Sequence, residues 1–111
     1  MKIKLNNNRT AVVRCYIDNE IPKNFYSEIP KGKVFRTYHM NLQLLNDENT
    51  CVGQLEGTSY CSPNDQFVKK NGRKLAMKRM LDSNGYYHNG IRHYVHLTKE
   101  ECGIVAKEIL K

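Results

Sequence analysis

The sequence predicts an α+β fold in which an antiparallel sheet of three to four strands packs against two helices. Three observations support this fold: apolar residues alternate over 33–45, a polar turn and a second β-rich segment follow, and two later segments open with helix-capping residues. The chain has 111 residues, enough for one domain with a modest core. We therefore expect a single domain over residues 1–111.

The first strand is predicted at 10–17, where β-forming residues alternate between two faces. Alternation is clearest over 33–45, the second strand, which should have one apolar and one polar face. The apolar face of the first strand holds Ala11, Val13, Cys15 and Ile17, and that of the second holds Val34, Tyr38, Met40, Leu42 and Leu44, with Thr37, His39, Asn41 and Gln43 opposite.

A hairpin is predicted over 33–60, because the polar turn at 46–49 leads into a returning strand at 50–60. Gly53 and Gly57 interrupt that returning strand. Glycine within a strand marks a bulge or a close approach by another backbone, so we expect one of these at each position.

The first helix is predicted over 63–82. Ser62 is the N-cap, Pro63 suits the first helical position, and Asp65 favours the positive end of the helix dipole. Asn84 and Gly85 should stop the helix.

The second helix is predicted over 98–110, because Thr98 and Glu101 form a capping box. Between the helices, Asn89 and Gly90 predict a turn, and 91–96 could add a further strand to the sheet.

The helices should cover the apolar face of the sheet. Gly72 would allow close packing of the first helix, and Arg79 falls on the same inward side, either paired with a buried carboxylate or anchored at the core edge. Residues 38–44 of that face should bury against Val68, Leu75, Ala76, Val105 and Ile109.

Positive charge is concentrated on the first helix. The chain has a net charge of +7, and residues 62–82 contribute six basic and two acidic groups. Such a local excess suits an anionic partner, either nucleic acid or an acidic protein surface, although a merely solvated basic helix has the same composition. The candidate partner-binding residues on this helix are Lys69, Lys70, Arg73, Lys74 and Lys78.

A second candidate surface is the tyrosine- and histidine-rich segment 86–96. Aromatic residues interleaved with basic ones are typical of single-stranded nucleic-acid sites, and equally of protein-binding surfaces. A hairpin with half-buried tyrosines is the third reading. The candidate residues are Tyr86, Tyr87, Arg92 and Tyr94.

No catalytic, metal or cofactor motif stands out. His88, His93 and His96 have a spacing unlike common zinc sites, and the four cysteines form no C-x-x-C pair. Cys61 could be a nucleophile activated by the following helix, but a structural role is the simpler reading. We expect a non-enzymatic protein without metal or cofactor, its cysteines mostly buried as small apolar residues.

The compartment expected is the cytoplasm. The start of the chain has no apolar stretch typical of a signal peptide, and no run approaches the length of a membrane span. We therefore expect no membrane association.

The segment from Cys61 to Phe67, with Gly72, Arg73, Ala76 and Arg79 after it, resembles a stretch of small accessory proteins from bacteriophages and mobile elements. In those proteins a hairpin leads into a C-x-P-x-D-x-F turn and a helix of the pattern G-R-x-x-A-x-x-R. The similarity covers residues 50–82, and its motif is structural. Inhibitors of host defence, including anti-CRISPR proteins, occur among proteins of this type.

The resemblance implies a phage-type accessory protein, acting in a bacterial host cell, that binds and inhibits a defence effector complex of the CRISPR-Cas kind. Because this chain is basic, such an inhibitor would cover an acidic surface or compete for guide or target nucleic acid. The alternative is a small basic nucleic-acid-binding module, in which the helix lysines contact phosphates and the tyrosines stack on bases.

Overall fold

A computed structural model describes residues 1–6, 8–19, 36–61, 69–83, 85–95 and 97–111, with only the backbone for 85–88 and 92–94. The described chain forms six strands and two helices. In chain order these are β1 (Lys2–Lys4), β2 (Thr10–Asp18), β3 (Arg36–Leu45), β4 (Cys51–Cys61), α1 (Lys69–Asp82), β5 (Gly85–His88), β6 (Ile91–Tyr94) and α2 (Lys99–Ile109).

Strands β1 to β4 form one antiparallel sheet in which each strand lies beside its neighbour in sequence. In the central row of the sheet, Val13 lies opposite Leu42, which in turn lies opposite Leu55. The predicted α+β fold is confirmed. The sequence did not predict β1, and the extra strand expected near 91–96 pairs with β5 in a separate two-stranded sheet rather than joining the main one.

The β3–β4 hairpin is confirmed, with its turn at 46–49. Oδ1 of Asn46 accepts hydrogen bonds from the backbone N–H groups of Glu48 and Thr50, at 2.9 and 3.0 Å. Asn49 has a positive φ of 61°, a conformation that asparagine tolerates better than most residues. The pairing then shifts by one residue, because Leu44 lies opposite Gly53 while Leu45 lies opposite Cys51.

The core lies on one face of the sheet, which we call the inner face. The predicted apolar residues of β3 are buried there from Tyr38 to Leu44, and Val34 lies outside the described residues. Both helices contribute to the same apolar cluster. Its buried members are Ile3, Leu5, Ala11, Val13, Tyr38, Met40, Leu42, Leu44, Leu55, Ala76, Met77, Met80, Val95, Val105 and Ile109.

Glycines in β4 allow other parts of the chain to approach the sheet closely. A Cβ on Gly57 would overlap the backbone of α1, at the carbonyl oxygen of Ala76 and at the N and Cα atoms of Met80. A Cβ on Gly53 would lie 2.6 Å from a methyl group of Val95. Both predicted glycine positions therefore mark close approaches, and at Gly57 the approaching group is a helix backbone.

The rotation of α1 differs from the sequence prediction. Leu75 was expected to be buried but is 40% exposed, so that prediction is wrong, whereas Met77 and Met80 are buried. The reason is the backbone contact at Gly57, which turns the side of α1 that contains Ala76 and Met80 toward the sheet. Val68 and the predicted N-cap at Ser62 lie outside the described residues.

Gly72 also lies against the sheet, as the sequence predicted. Oγ of Ser59 donates a 2.7 Å hydrogen bond to the carbonyl oxygen of Gly72. A Cβ on Gly72 would lie 3.5 Å from the side chain of Tyr38. Near its predicted end the helix stops at Asp82, and Ser83 donates a 2.7 Å hydrogen bond to the carbonyl oxygen of Met80.

Helix α2 begins with the predicted capping box. Oγ1 of Thr98 accepts from the backbone N–H of Glu101, whose Oε1 accepts from the backbone N–H of Thr98, each at 3.1 Å. The carboxylate of Glu101 also receives a hydrogen bond of 2.6 Å from Nη2 of Arg9, before β2. Burial raises the pKa of Glu101, but the hydrogen bonds from Arg9 and from the Thr98 backbone outweigh it and hold the pKa below its usual range.

The β5–β6 hairpin turns at the predicted residues. Asn89 and Gly90 both have positive φ, 51° and 76°, as a tight two-residue turn requires. Tyr87 lies opposite Arg92 in this ladder, and Tyr86 opposite His93.

The glycines provide a stability prediction with a matched control. Gly57→Ala should lower the free energy of unfolding by about 1–3 kcal/mol or more, because the added methyl group overlaps helix backbone that cannot move alone. In Gly103→Ala, in α2, the added methyl group meets nothing within 4 Å, so the free energy of unfolding should rise by about 0.5–1 kcal/mol. Urea denaturation of both variants measures these changes; equal effects would contradict the close approach at Gly57.

The Arg9–Glu101 pair predicts a pH dependence. At neutral pH, Glu101→Gln should lower the free energy of unfolding by about 2 kcal/mol, less than the roughly 3–5 kcal/mol for a fully buried pair because Arg9 is partly exposed. Since the folded-state pKa of Glu101 is lowered, its contribution is complete above the unfolded pKa and is lost as pH falls from about 4.5 through the folded value.

Urea denaturation of wild type and Glu101→Gln between neutral and acidic pH measures this contribution. The difference between the two proteins should shrink as the pH falls below the usual range of a glutamate. A difference that stayed constant over the whole range would show that ionised Glu101 does not stabilise the fold.

Candidate binding surfaces

The exposed side of α1 carries a row of lysines, which we call the lysine row: Lys70, Lys74 and Lys78. These residues are four apart, so they lie one above the other along the helix. All three are exposed, and they point away from the sheet because Ala76 and Met80 face it. The lysine row is therefore a continuous cationic surface that the core does not use.

The other basic residues of α1 are placed differently. Lys69 is exposed at the start of the helix and borders a hollow with Tyr16 and Tyr38. Arg73 is half-buried, and its Nε has no hydrogen-bond partner in the described part of the chain. Arg79 is exposed and its Nη1 donates a 2.8 Å hydrogen bond to the carbonyl oxygen of Thr58, which makes it an anchor at the edge of the core.

A groove runs between α1 and α2 beside the lysine row. Its volume is about 380 Å³, larger than the two hollows beside Tyr16, which are about 210 and 110 Å³. The lining is mainly apolar, and charged groups stand at its α1 border. The lining residues are Lys74, Met77, Lys78, Leu81, Asp82, Cys102, Gly103 and Ala106.

For the second predicted surface, the tyrosine- and histidine-rich segment 86–96, the structure describes mainly the backbone. Tyr86, Tyr87, Arg92 and Tyr94 lie in the β5–β6 hairpin, but their side chains fall outside what the structure describes. The hairpin is joined to the core by the buried Val95, which packs on Gly53.

The outer face of the sheet, opposite the helices, holds an aromatic pair that the sequence analysis did not select. The rings of Tyr16 and His39 stack with centroids 4.4 Å apart and planes 13° from parallel. Tyr16 remains 54% exposed. Nε2 of His39 lies 3.0 Å from Oδ2 of Asp18, within ion-pair distance.

A small hollow of about 110 Å³ adjoins this aromatic pair. Its polar lining consists of Asn41, Glu56 and Thr58. Arg14 is exposed and lies in the same cross-strand row as Asn41 and Glu56. Alternation placed His39 and Asn41 opposite the core, but only the strand register shows which residues of β2 and β4 stand beside them.

The cysteines are less buried than the sequence analysis predicted. Cys15 and Cys51 are exposed, while Cys61 and Cys102 are half-buried, so the prediction of buried cysteines is wrong. Burial raises the pKa of the Cys102 thiol, and the charges of Glu101 and Asp82 raise it further, which disfavours the nucleophilic thiolate form. The described residues contain no group of three metal-binding side chains.

Comparisons with known proteins give no relative: no family model, no curated protein and no solved structure matches this chain. None of the helices among the described residues has the length and apolar character needed to cross a membrane.

Proposed function

We propose that this protein is a non-enzymatic binding protein that inhibits a host defence effector complex, of the CRISPR-Cas kind, by covering an acidic surface of it. The observation that carries the binding role is the lysine row beside the apolar α1–α2 groove. Complementary charge speeds encounter and fixes orientation, while apolar contact supplies most of the affinity.

The groove favours a protein as the partner on this side of the molecule. Phosphates need cations but no apolar floor, whereas a partner helix or loop can insert apolar side chains between Met77, Leu81 and Ala106. Acidic residues flanking such a segment would then meet Lys74 and Lys78 at the α1 border.

The identity of the partner rests on the resemblance of residues 50–82 to phage accessory proteins. An inhibitor needs no reacting group of its own, because covering a required surface of the effector is sufficient. The groove and the exposed lysines supply a surface of this kind. The role proposed for them is binding, and it requires no covalent chemistry.

Reversing the charge of the lysine row tests this proposal. The triple variant Lys70→Glu, Lys74→Glu, Lys78→Glu should keep thermal stability, since exposed substitutions cost about 0.5 kcal/mol or less each. It should lose capture of the effector and inhibition of target cleavage, because attraction becomes repulsion.

The control has the same change in net charge at exposed positions elsewhere: Lys2→Glu, Lys4→Glu, Lys111→Glu. This control should inhibit as wild type does. Equal loss in both variants would indicate a general charge effect, and absence of inhibition by wild type across the common effector types, with no effector captured, would defeat the proposal.

The groove itself is tested by Gly103→Glu. The side chain enters open space, so folding should be preserved, but bulk and negative charge now stand in the groove. We expect effector binding to weaken at least tenfold, measured by titration, while Gly103→Ala binds as wild type. Unchanged binding by Gly103→Glu would remove the groove from the interface.

A further inference from the structure

We propose that the outer face of the sheet binds single-stranded nucleic acid, with a base stacked on Tyr16 and its edge directed into the hollow at Asn41, Glu56 and Thr58. This site lies on the opposite side of the sheet from the lysine row, and it uses none of the residues of the α1–α2 groove.

The first argument is the exposed aromatic ring. Tyr16 is 54% exposed, and one face of its ring is stacked on the ring of His39. His39 is in turn held next to Asp18. The ring of Tyr16 is therefore fixed in position before any ligand arrives, which lowers the entropy cost of stacking a base on it.

The second argument is the chemistry of the hollow. Asn41 supplies an amide with both donors and an acceptor, and Glu56 supplies carboxylate oxygens. The Thr58 hydroxyl donates to the Tyr60 hydroxyl at 3.2 Å, so it offers its oxygen as an acceptor. Base edges present the complementary N–H and carbonyl groups, and they are accessible only where the strand is unpaired. A carboxylate in the site favours the amino group of a base over a phosphate.

The third argument is the cation beside the hollow. Arg14 is exposed, lies two residues before Tyr16, and shares the row of Asn41 and Glu56. It can contact the phosphate that adjoins a base stacked on Tyr16. Among the residues that the structure describes, few cations adjoin the hollow, so we expect most of the affinity to come from stacking and the salt dependence to be shallow.

Fluorescence anisotropy with labelled DNA and RNA strands of about 12 nucleotides, each in mixed sequence, measures the binding. The duplex of the same DNA sequence is the control ligand. We expect wild type to bind the single strands more tightly than the duplex. Tyr16→Ala should weaken the single-strand complex about 5- to 150-fold, the effect of removing one stacked base, and Tyr16→Phe should retain it.

Arg14→Ala should reduce the affinity and the slope of log affinity against log salt between about 50 and 200 mM. The lysine-row triple variant should keep the difference between single strand and duplex. Circular dichroism confirms that each variant is folded, and Tyr16→Phe separates loss of the ring from loss of the hydroxyl.

Three results would overturn the inference. The first is that wild type binds no single strand at about 50 mM salt. The second is that Tyr16→Ala binds single strands as tightly as wild type does. Loss of binding in the lysine-row variant with retention in Tyr16→Ala would place nucleic acid on α1 instead, and would also count against the protein partner proposed there.

Discussion

The contact on which the fold depends is the one between Gly57 and the backbone of α1. Only a residue without a Cβ lets the carbonyl of Ala76 and the amide of Met80 come so close to β4. The side of α1 that makes this contact is buried, since Met80 is fully buried, whereas Leu75 on another side of the helix is 40% exposed. The glycine thus fixes the position of the helix and its rotation together.

That rotation decides which part of α1 can meet a partner. With Ala76 and Met80 against the sheet, the lysine row lies outward beside the α1–α2 groove. The anchor from Arg79 to the Thr58 carbonyl holds one flank of α1, and Ser59 holds Gly72 earlier along the helix. Because the helix is held at several points, its backbone loses little further conformational freedom when the lysine row binds a partner.

Local signals in the sequence were sufficient for the α+β class and for several of its elements: the alternation in β3, the turn at Asn46, and the capping box of Thr98 all appear where predicted. Contacts between residues far apart in the sequence could not be predicted from it. Arg9 meets Glu101 across 92 positions, and no local pattern links them. The lysine row followed from helical spacing, whereas the Tyr16–His39 pair needed the register of β2 against β3.

The two faces of the sheet differ in what they offer a partner. The helix side combines the lysine row with an apolar groove, which suits an acidic protein segment. The outer face combines a pre-stacked ring with amide, hydroxyl and carboxylate groups, which suits an unpaired base. A ribonucleoprotein presents both chemistries close together, so a protein that engages both would gain affinity from their linkage without either site being strong alone.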